Sequence, residues 1–305
     1  MWPSWQRERL RIAETLRQHS RTVRPLPGIA AEEALDTLTW QFIASLRREA
    51  YYREVQKKDI SARRADPNDP AFDAERAVAY HIRQGHVDEA AWLIFLMTYF
   101  ARPVETGWLR LKDVYGKLGE GVWDWATVKA NPLAFGEWLA ENWRHVRGKF
   151  GNHRKYETLR DNSHRSTGKV VESYIAWVGE HDHVRKFAEV IREAGNDPHT
   201  IFDALFHNLT VLSFGRLAKF DYLSLIGRYG VAPIDAGSAY LDGATGPLSG
   251  ARLLFDGRPD GPSSIRALQT MLDALDRDLQ VTMTVMEDAL CNWQKSPSRF
   301  VHFKG

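Results

Sequence analysis

The basic segment, from Arg144 to Lys169, holds the residues best suited to bind an anion. It contains eight Lys or Arg residues against two acidic residues. Three glycines interrupt it, and glycines let backbone N–H groups approach an anion closely. Phe150 and Tyr156 add aromatic faces between the charges. The combination favours a phosphate-bearing ligand, although a solvated basic loop explains the same composition equally well.

An acidic residue, Asp221, lies in the stretch Leu212–Leu223 together with a glycine and aromatic residues. Gly215 is predicted to open a helix that carries Asp221. The stretch looks like a degenerate helix-hairpin-helix element, in which a glycine turn presents amide groups to a DNA phosphate. It departs from the standard G-x-G turn because Leu217 occupies the position of the second glycine. Taken alone, Asp221 is more typical of a surface carboxylate paired with a neighbouring cation.

Other chemistries have weaker support. The run His181-Asp182-His183 contains metal-ligand types, but Asp182 is better explained as the cap of the following helix. The sequence lacks the motifs of P-loop nucleotide hydrolases, H-E-x-x-H zinc proteases and G-x-S-x-G hydrolases. The single cysteine, Cys291, excludes an intrachain disulfide and a cysteine-based zinc site within one chain. Such cysteine use is typical of a reducing, intracellular setting.

The elements that must position these residues are predicted to be helical almost throughout. Apolar residues recur at spacings of three and four, and no long alternating run favours a strand. Helices are expected over 4–19, 31–56, 71–84, 88–102, 104–115, 122–130, 133–147, 167–178, 184–194, 199–211, 216–229 and 263–294. Loops are expected over 230–262, with at most a short strand near 251–255. Within this region Gly243, Gly246 and Gly250 are expected to make a tight loop that runs into a short helix. The fold class is therefore all-α, divided into 1–147 and 148–305 or forming one compact body.

The composition of the 305 residues is that of an ordinary globular protein, with 44% apolar and 26% charged residues. The net charge of +2 argues against a generic polycation that coats nucleic acid. The longest apolar run, Ala90–Ala101, is too short to cross a bilayer and predicts a buried core helix. We therefore expect a soluble, cytoplasmic protein with no membrane partner.

Three C-terminal stretches carry a resemblance to a known family. They are Leu212–Leu223, the glycine-rich Tyr240–Phe255 and Leu290–Arg299. In that order they resemble the α-glutamyl/putrescinyl thymine pyrophosphorylase family. There, a hairpin with a glycine, an aromatic and an acidic residue precedes a glycine- and proline-rich loop ending in Phe, and a Leu-Cys-x-x-x-Lys signature closes the domain. The matching residues are Gly215, Phe220, Asp221, Gly246, Pro247, Gly250, Phe255, Leu290, Cys291 and Lys295.

The resemblance implies a DNA-modifying transferase with a helix-hairpin-helix, DNA-glycosylase-like domain and extra N-terminal helices. An upstream hydroxymethyluracil DNA kinase supplies pyrophosphorylated 5-hydroxymethyluracil in DNA. The transferase then displaces pyrophosphate with an amino acid or a polyamine. The implied partners are thus DNA containing modified thymine and an amine donor, in a bacterial host or phage-infected cell. No metal or other cofactor is implied, because pyrophosphate already activates the carbon.

Such a reaction needs a slot for an extrahelical base, cations for the leaving group and a base for the incoming ammonium. Asp221 is the first choice for the general base and Asp242 the second. The residues expected to hold pyrophosphate or DNA phosphate are Lys149, Asn152, His153, Arg154, Lys155 and Arg216. The residues expected to stack on the base are Tyr156, Tyr222 and Trp125. Arg252 is expected to bind the carboxylate of an incoming amino acid.

Two other functions are also compatible with the sequence. A base-excision glycosylase on the same scaffold would use a carboxylate to assist cleavage of the glycosidic bond. A non-catalytic DNA-binding protein would use the basic segment and turn nothing over. The near-neutral net charge slightly disfavours the binding-only protein, because such proteins depend more on bulk positive charge.

Overall fold

The computed structural model describes residues 2–303, and it confirms the all-α fold class. Within these residues the ordered elements are helices, and no β-strand is present. The first seven α-helices are α1 Gln6–Thr22, α2 Glu32–Lys57, α3 Ala74–Arg83, α4 Val87–Phe100, α5 Leu109–Tyr115, α6 Trp125–Ala130 and α7 Pro132–Asn142. The others are α8 Thr167–Val178, α9 His183–Ala194, α10 Pro198–Asn208, α11 Arg216–Arg228, α12 Gly246–Asp256, α13 Ile265–Leu279 and α14 Met283–Trp293.

The chain forms two compact units that are not consecutive in sequence. The first unit comprises residues 2–51 and 236–303, and the second comprises 52–235. Residues 147 and 148, where the sequence suggested a division, both belong to the second unit. The segment from Arg144 to Lys169 and the stretch Leu212–Leu223 therefore share the second unit.

The core of the second unit is built around α4. Every residue of α4 from Ala90 to Phe100 is buried, so the predicted core helix is confirmed. Its partners include α3, α9 and α11. The ring of Phe95 stacks on Tyr174 of α8 with the centroids 3.8 Å apart. Apolar residues cover all sides of α4 because neighbours surround it, as expected of a helix that is hydrophobic all round.

In the first unit, α12 packs against α14 at a very short distance. A Cβ atom on Gly250 would lie 2.4 Å from the carbonyl oxygen of Leu290, and one on Gly246 would lie 2.6 Å from the Sγ atom of Cys291. The glycine-rich stretch and the Leu-Cys stretch are therefore in direct contact. The glycine-rich stretch was predicted as a tight loop of Gly243, Gly246 and Gly250 that runs into a short helix. The short helix is confirmed as α12, but Gly246 and Gly250 lie within it rather than in the loop, and they allow the two helices to approach.

Two further predictions for the first unit need correction. The short strand expected near 251–255 is helical, as part of α12. The single helix expected over 263–294 is broken between α13 and α14, where Gln280 and Thr282 adopt positive φ values of 53° and 84°. The side chain of Asp276 accepts hydrogen bonds from the backbone N–H groups of Val281 and Thr282 at 3.2 and 3.1 Å. These bonds satisfy backbone donors that the break exposes.

Within the described part of the chain, no helix combines the length and the apolar character needed to cross a membrane.

Candidate active site

The connection between α10 and α11 determines where Asp221 lies. Gly215 is the N-cap of α11 with an extended backbone, which confirms that a glycine opens this helix. Helix α10 contacts α11. The neighbours Phe220 and Tyr222 are buried, whereas Asp221 between them is exposed. Successive side chains on a helix point about 100° apart, so burial of these neighbours leaves Asp221 on the solvent side of α11.

Asp221 combines solvent access with a perturbed pKa. No residue in 2–303 forms a hydrogen bond or ion pair with its carboxylate. Burial nevertheless raises its pKa, against the lowering effect of four basic residues, of which Arg154 has the largest effect, followed by His153, Arg228 and Arg216. The carboxylate is thus exposed on α11, and the basic residues Arg154 and His153 act on its charge. Perturbed groups of this kind are typical of functional sites.

Asp221 interacts electrostatically with two residues of the basic segment that are distant from it in sequence. Arg154 and His153 lie about seventy positions before Asp221, yet both act on its charge. The expected convergence of the basic segment with the stretch Leu212–Leu223 is therefore observed for these two residues.

The cations of the basic segment fall into two groups. Arg147 binds the buried Asp113 through two side-chain hydrogen bonds of 2.9 and 2.7 Å, and Lys169 pairs with Glu172 at 3.0 Å. The other six have no acidic partner within ion-pair distance among the described residues: Arg144, Lys149, Arg154, Lys155, Arg160 and Arg165. Most of the positive charges of the basic segment are therefore not neutralised by acidic side chains of the described residues.

Arg154 is the one buried member of that second group. Its side chain is 8% exposed, and its Nη1 atom donates to the carbonyl oxygen of Ser213 at 3.0 Å. Its guanidinium lies 5.2 Å from the ring centroid of Phe214. Burial lowers its pKa, and the charges of Asp221 and Glu157 oppose that effect. The fold thus positions a desolvated cation beside the N-terminus of α11.

The remaining predicted phosphate ligands of this unit are accessible. Lys149, Asn152, His153 and Lys155 are exposed. Arg216 occupies the first turn of α11, where its guanidinium lies 4.7 Å from the ring centroid of Phe220. Lys149 and Lys155 therefore carry positive charge at the surface, whereas the guanidinium of Arg154 is buried.

The three predicted stacking residues differ in access. Tyr156 is 87% exposed, and the Nζ atom of Lys155 lies 5.0 Å from its ring centroid. Tyr222 is fully buried, and its hydroxyl bonds that of Tyr174 at 3.0 Å. Trp125 is 5% exposed and donates from Nε1 to Asp182 at 3.0 Å. A base reaches Tyr156 directly, but it reaches Tyr222 or Trp125 only if the core repacks.

Trp125 shares its surroundings with a second tryptophan, Trp123, at the start of α6. The side chain of Asp124 caps α6 by accepting from the N–H of Thr127. The chain turns at this cap, and both indoles enter the core of the second unit, with 4% and 5% exposure. Both tryptophans are therefore core residues of the second unit.

Two predicted site residues, Asp242 and Arg252, belong to the first unit. Asp242 is exposed in the loop before α12. Arg252 is half-buried on α12, and its Nε atom is buried without a hydrogen-bond partner in the described structure. A buried donor without a partner is costly, so Arg252 retains capacity to bind an acceptor. The roles expected of Asp242 and Arg252 stay predictions.

The run His181-Asp182-His183 has other partners. His183 is fully buried, with Nε2 at 2.7 Å from the hydroxyl of Tyr174 and Nδ1 at 3.2 Å from Asp88. Asp182 is the N-cap residue of α9, but its side chain binds Trp125 and Lys129 rather than the helix. In the part of the chain that is described, no three His, Cys, Asp or Glu residues group as metal ligands.

Two residues of the site region were missed by the sequence reasoning. Ser213 precedes α11 with a φ of 61°, and it accepts from Arg154 through its carbonyl and from Arg165 through its Oγ atom at 3.2 Å. Arg165 was one of eight cations in the basic segment, and nothing in its local sequence separated it from the others. The only available signal was the position of Ser213 two residues before the helix-opening Gly215.

Comparison with protein families decides the assignment. The model of the α-glutamyl/putrescinyl thymine pyrophosphorylase family, clade 3, matches residues 33–305. The chain belongs to this family. The match extends far upstream of residues 210–299, which carried the resemblance, and it includes the basic segment. The family name denotes enzymes of thymine hypermodification. The comparisons with curated proteins and with solved structures gave no match.

Proposed function

We propose that this protein transfers an amine or amino acid onto pyrophosphorylated 5-hydroxymethyluracil in DNA and releases pyrophosphate. The observation that carries the proposal is Asp221, a solvent-accessible carboxylate with no bonding partner among residues 2–303 and a pKa that burial raises. Its electrostatic neighbours are Arg154 and His153 of the basic segment. Acid–base chemistry beside a group of cations is what displacement of an anionic leaving group requires.

The reaction that we assign to Asp221 begins with the ammonium of the donor. Asp221 accepts one proton, and the freed nitrogen lone pair attacks the exocyclic methylene carbon of the base. A carbon–nitrogen bond forms as the carbon–oxygen bond breaks, and the electron pair of the broken bond leaves on pyrophosphate. The product is a secondary ammonium, which loses its extra proton to solvent. A raised pKa suits Asp221 to this step, because a stronger base takes the proton more readily.

The leaving group is the part of the substrate that fits the basic segment. Pyrophosphate gains negative charge as the carbon–oxygen bond breaks, and fixed cations stabilise that charge most where water is excluded. Arg154 is buried, and the charge of Asp221 acts on it, which favours it for this role. We assign the exposed residues Lys149, Asn152, His153 and Lys155 to contacts with pyrophosphate or the neighbouring DNA phosphates.

We propose that DNA docks on the pair α10–α11 in the manner of helix-hairpin-helix proteins. The glycine at the start of α11 and the N-terminal amides that follow it suit a backbone phosphate. The target base leaves the duplex, because its methylene carbon is not reachable in the stack. Tyr156 is the candidate stacking partner, since its ring is exposed beside Lys155. The substrate is supplied by a kinase that pyrophosphorylates hydroxymethyluracil in DNA.

The test is incubation of the protein with DNA that carries pyrophosphorylated 5-hydroxymethyluracil, together with single amino acids or polyamines. Nucleoside mass spectrometry is expected to detect a base with the mass of the amine adduct, and pyrophosphate release is expected to match it. Absence of any adduct with all donors would contradict the proposal. Appearance of abasic sites instead would assign the protein to the glycosylases.

A further inference from the structure

We infer that Arg165 and Arg154 form a two-armed clamp for the leaving pyrophosphate, anchored by Ser213 at the start of α11. The inference rests on the proposed function and adds to it a residue and a substrate subsite. Ser213 joins the arms, because its carbonyl oxygen accepts from Arg154 and its Oγ atom accepts from the Nε atom of Arg165. One residue thus fixes two guanidinium groups from the basic segment.

The backbone of Ser213 adopts a conformation that is energetically unfavourable for a serine. Its φ of 61° lies in the left-handed region, which costs a non-glycine residue about 1 kcal/mol or more. Phe214, the next residue, is 5% exposed and provides the ring beneath the guanidinium of Arg154. Strained residues persist where surrounding contacts determine them, and they are concentrated at ligand-binding sites.

Charge balance indicates what the clamp holds. Arg154 is more than nine-tenths buried, and neither Asp221 nor Glu157 forms an ion pair with it. Arg165 likewise has no acidic partner in residues 2–303. A buried cation without a counter-ion is costly, and a bound anion would remove that cost. Two guanidinium groups offer more donors than one carboxylate accepts, and they match the several oxygens of a pyrophosphate.

The start of α11 has room for such an anion. A Cβ atom on Gly215 would meet no atom within 4 Å, and no side chain caps the N-terminus of the helix. The positive end of the helix dipole therefore faces open space beside Ser213. The cap position of a helix usually carries a side-chain acceptor, and a ligand oxygen would take that place here.

The loop that carries Arg165 is closed at its base. Thr158 and Ser166 form a bridge, and the carbonyl oxygen of Thr158 accepts from the N–H and the hydroxyl of Thr167 at 2.9 and 2.7 Å. Ser166 is buried and donates to Asp161. These contacts hold the ends of the loop, so Arg165 is presented from a defined position although its side chain is exposed.

The experiment is calorimetric titration of the full chain with inorganic pyrophosphate, without divalent cations, for the wild type and four variants. Arg165→Gln and Arg154→Gln each remove one arm, and we expect each to weaken pyrophosphate binding about 10-fold or more. Ser213→Gly removes the Oγ acceptor while it accepts the positive φ, so it tests the Arg165 arm without loss of the fold. The control is Arg192→Gln, which removes an exposed arginine of α9 and is expected to bind pyrophosphate as the wild type does.

The clamp is wrong if the wild type does not bind pyrophosphate, or if Arg165→Gln and Ser213→Gly bind it as tightly as Arg192→Gln does. Because Arg165 is exposed, these two variants keep the test decisive even if Arg154→Gln fails to fold. Amine transfer to modified DNA is measured on the same proteins. Transfer without a clamp effect would overturn the clamp alone, and a clamp effect without transfer would overturn the proposed function alone.

Discussion

Asp221 is the residue on which the chemistry depends, and its environment makes a specific kinetic prediction. Asp221→Asn removes the proton acceptor and keeps the shape, so we expect transfer to fall about 100- to 10,000-fold with DNA binding unchanged. Since burial raises the pKa of Asp221, its carboxyl group ionises, and so becomes a base, at a higher pH than is usual for Asp. The wild-type single-turnover rate should therefore rise with pH through that transition.

The matched control for this substitution is Glu180→Gln, which neutralises an exposed carboxylate in the turn between α8 and α9. Its transfer rate and pH profile should equal those of the wild type. A pH transition that survives in Asp221→Asn would assign the base to another residue, and Asp242 would be the next candidate.

Glu89 on α4 is a second carboxylate with a perturbed pKa, and its effect is on stability. It accepts from the hydroxyl of Tyr115 and from the N–H of Trp125. Burial raises its pKa from 4.5 to about 7. The folded state therefore holds this proton more tightly than the unfolded state, and the stabilising contribution, complete below pH 4.5, is lost as the pH rises to 7.

Glu89→Gln should flatten this part of the pH dependence. We expect the wild type to lose up to about 1.4 kcal/mol per pH unit more than the variant over this window, as measured by urea unfolding. His81, whose pKa burial lowers to about 4, has the opposite effect on stability, but it is present in both proteins and cancels. Equal slopes in the two proteins would show that Glu89 is ionised in the folded state at neutral pH.

At the residue scale, the sequence predicted the chemically important residue types better than it predicted the solvent exposure of their side chains. Asp221 was selected from the family resemblance and Arg154 for its place in the basic segment, and the charge of Arg154 acts on Asp221 in the structure. Tyr222 is adjacent to Asp221 in sequence, but the helix turns its ring into the core. The role of Ser213 depends on a φ value and on contacts with the distant basic segment, and local sequence encodes neither of them.

At the scale of elements, the contact between α12 and α14 is the most constrained. The carbonyl oxygen of Leu290 leaves no space for a side chain on Gly250. Gly250→Ala should lower the free energy of unfolding by about 1–3 kcal/mol, because the helices must separate. Gly136→Ala is the control: the added Cβ would be 3.7 Å from the nearest atom, Cα of Gly168.

Because Gly136 also lies inside a helix, its replacement should be neutral or stabilising by up to about 1 kcal/mol. Urea unfolding of the two variants compares the free-energy cost of separating two closely packed helices with the gain in helix propensity that alanine provides. Equal effects of the two substitutions would contradict the assigned role of Gly250.

The helices themselves were largely predictable, since their apolar residues follow the helical period. The break between α13 and α14 was not, because residues 280–282 contain neither glycine nor proline. The break depends on Asp276 accepting from two backbone donors. The start of α12 was obscured for the opposite reason. Gly246 and Gly250 suggested a loop before a short helix, whereas both lie in the helix and allow it to pack closely against α14.

At the scale of the molecule, a near-neutral net charge conceals a local excess of unpaired cations. Arg144 and Arg160 lie over the ring of Trp143, with Cζ atoms 5.1 and 4.2 Å from its centroid. Neither has an acidic partner among residues 2–303. Stacking restricts the two side chains and leaves their N–H groups free for phosphates, so we expect both arginines to contact the DNA backbone.

Arg144→Gln and Arg160→Gln should each weaken DNA binding at low salt and reduce the slope of log K against log salt by about one. Fluorescence anisotropy over a salt series measures both quantities. The control is Lys169→Gln, because Lys169 already pairs with Glu172 and should change the slope little. Unchanged slopes for both arginine variants would exclude this surface from the DNA interface.

The most direct test of the transferase mechanism is the fate of the oxygen atom between base and pyrophosphate. DNA is prepared with ¹⁸O at the exocyclic position of 5-hydroxymethyluracil, pyrophosphorylated, and incubated with the protein and an amine donor. Attack of nitrogen at carbon predicts that the released pyrophosphate carries one ¹⁸O atom for each amine adduct formed. Retention of the label in DNA as 5-hydroxymethyluracil, with unlabelled pyrophosphate released, would contradict the mechanism.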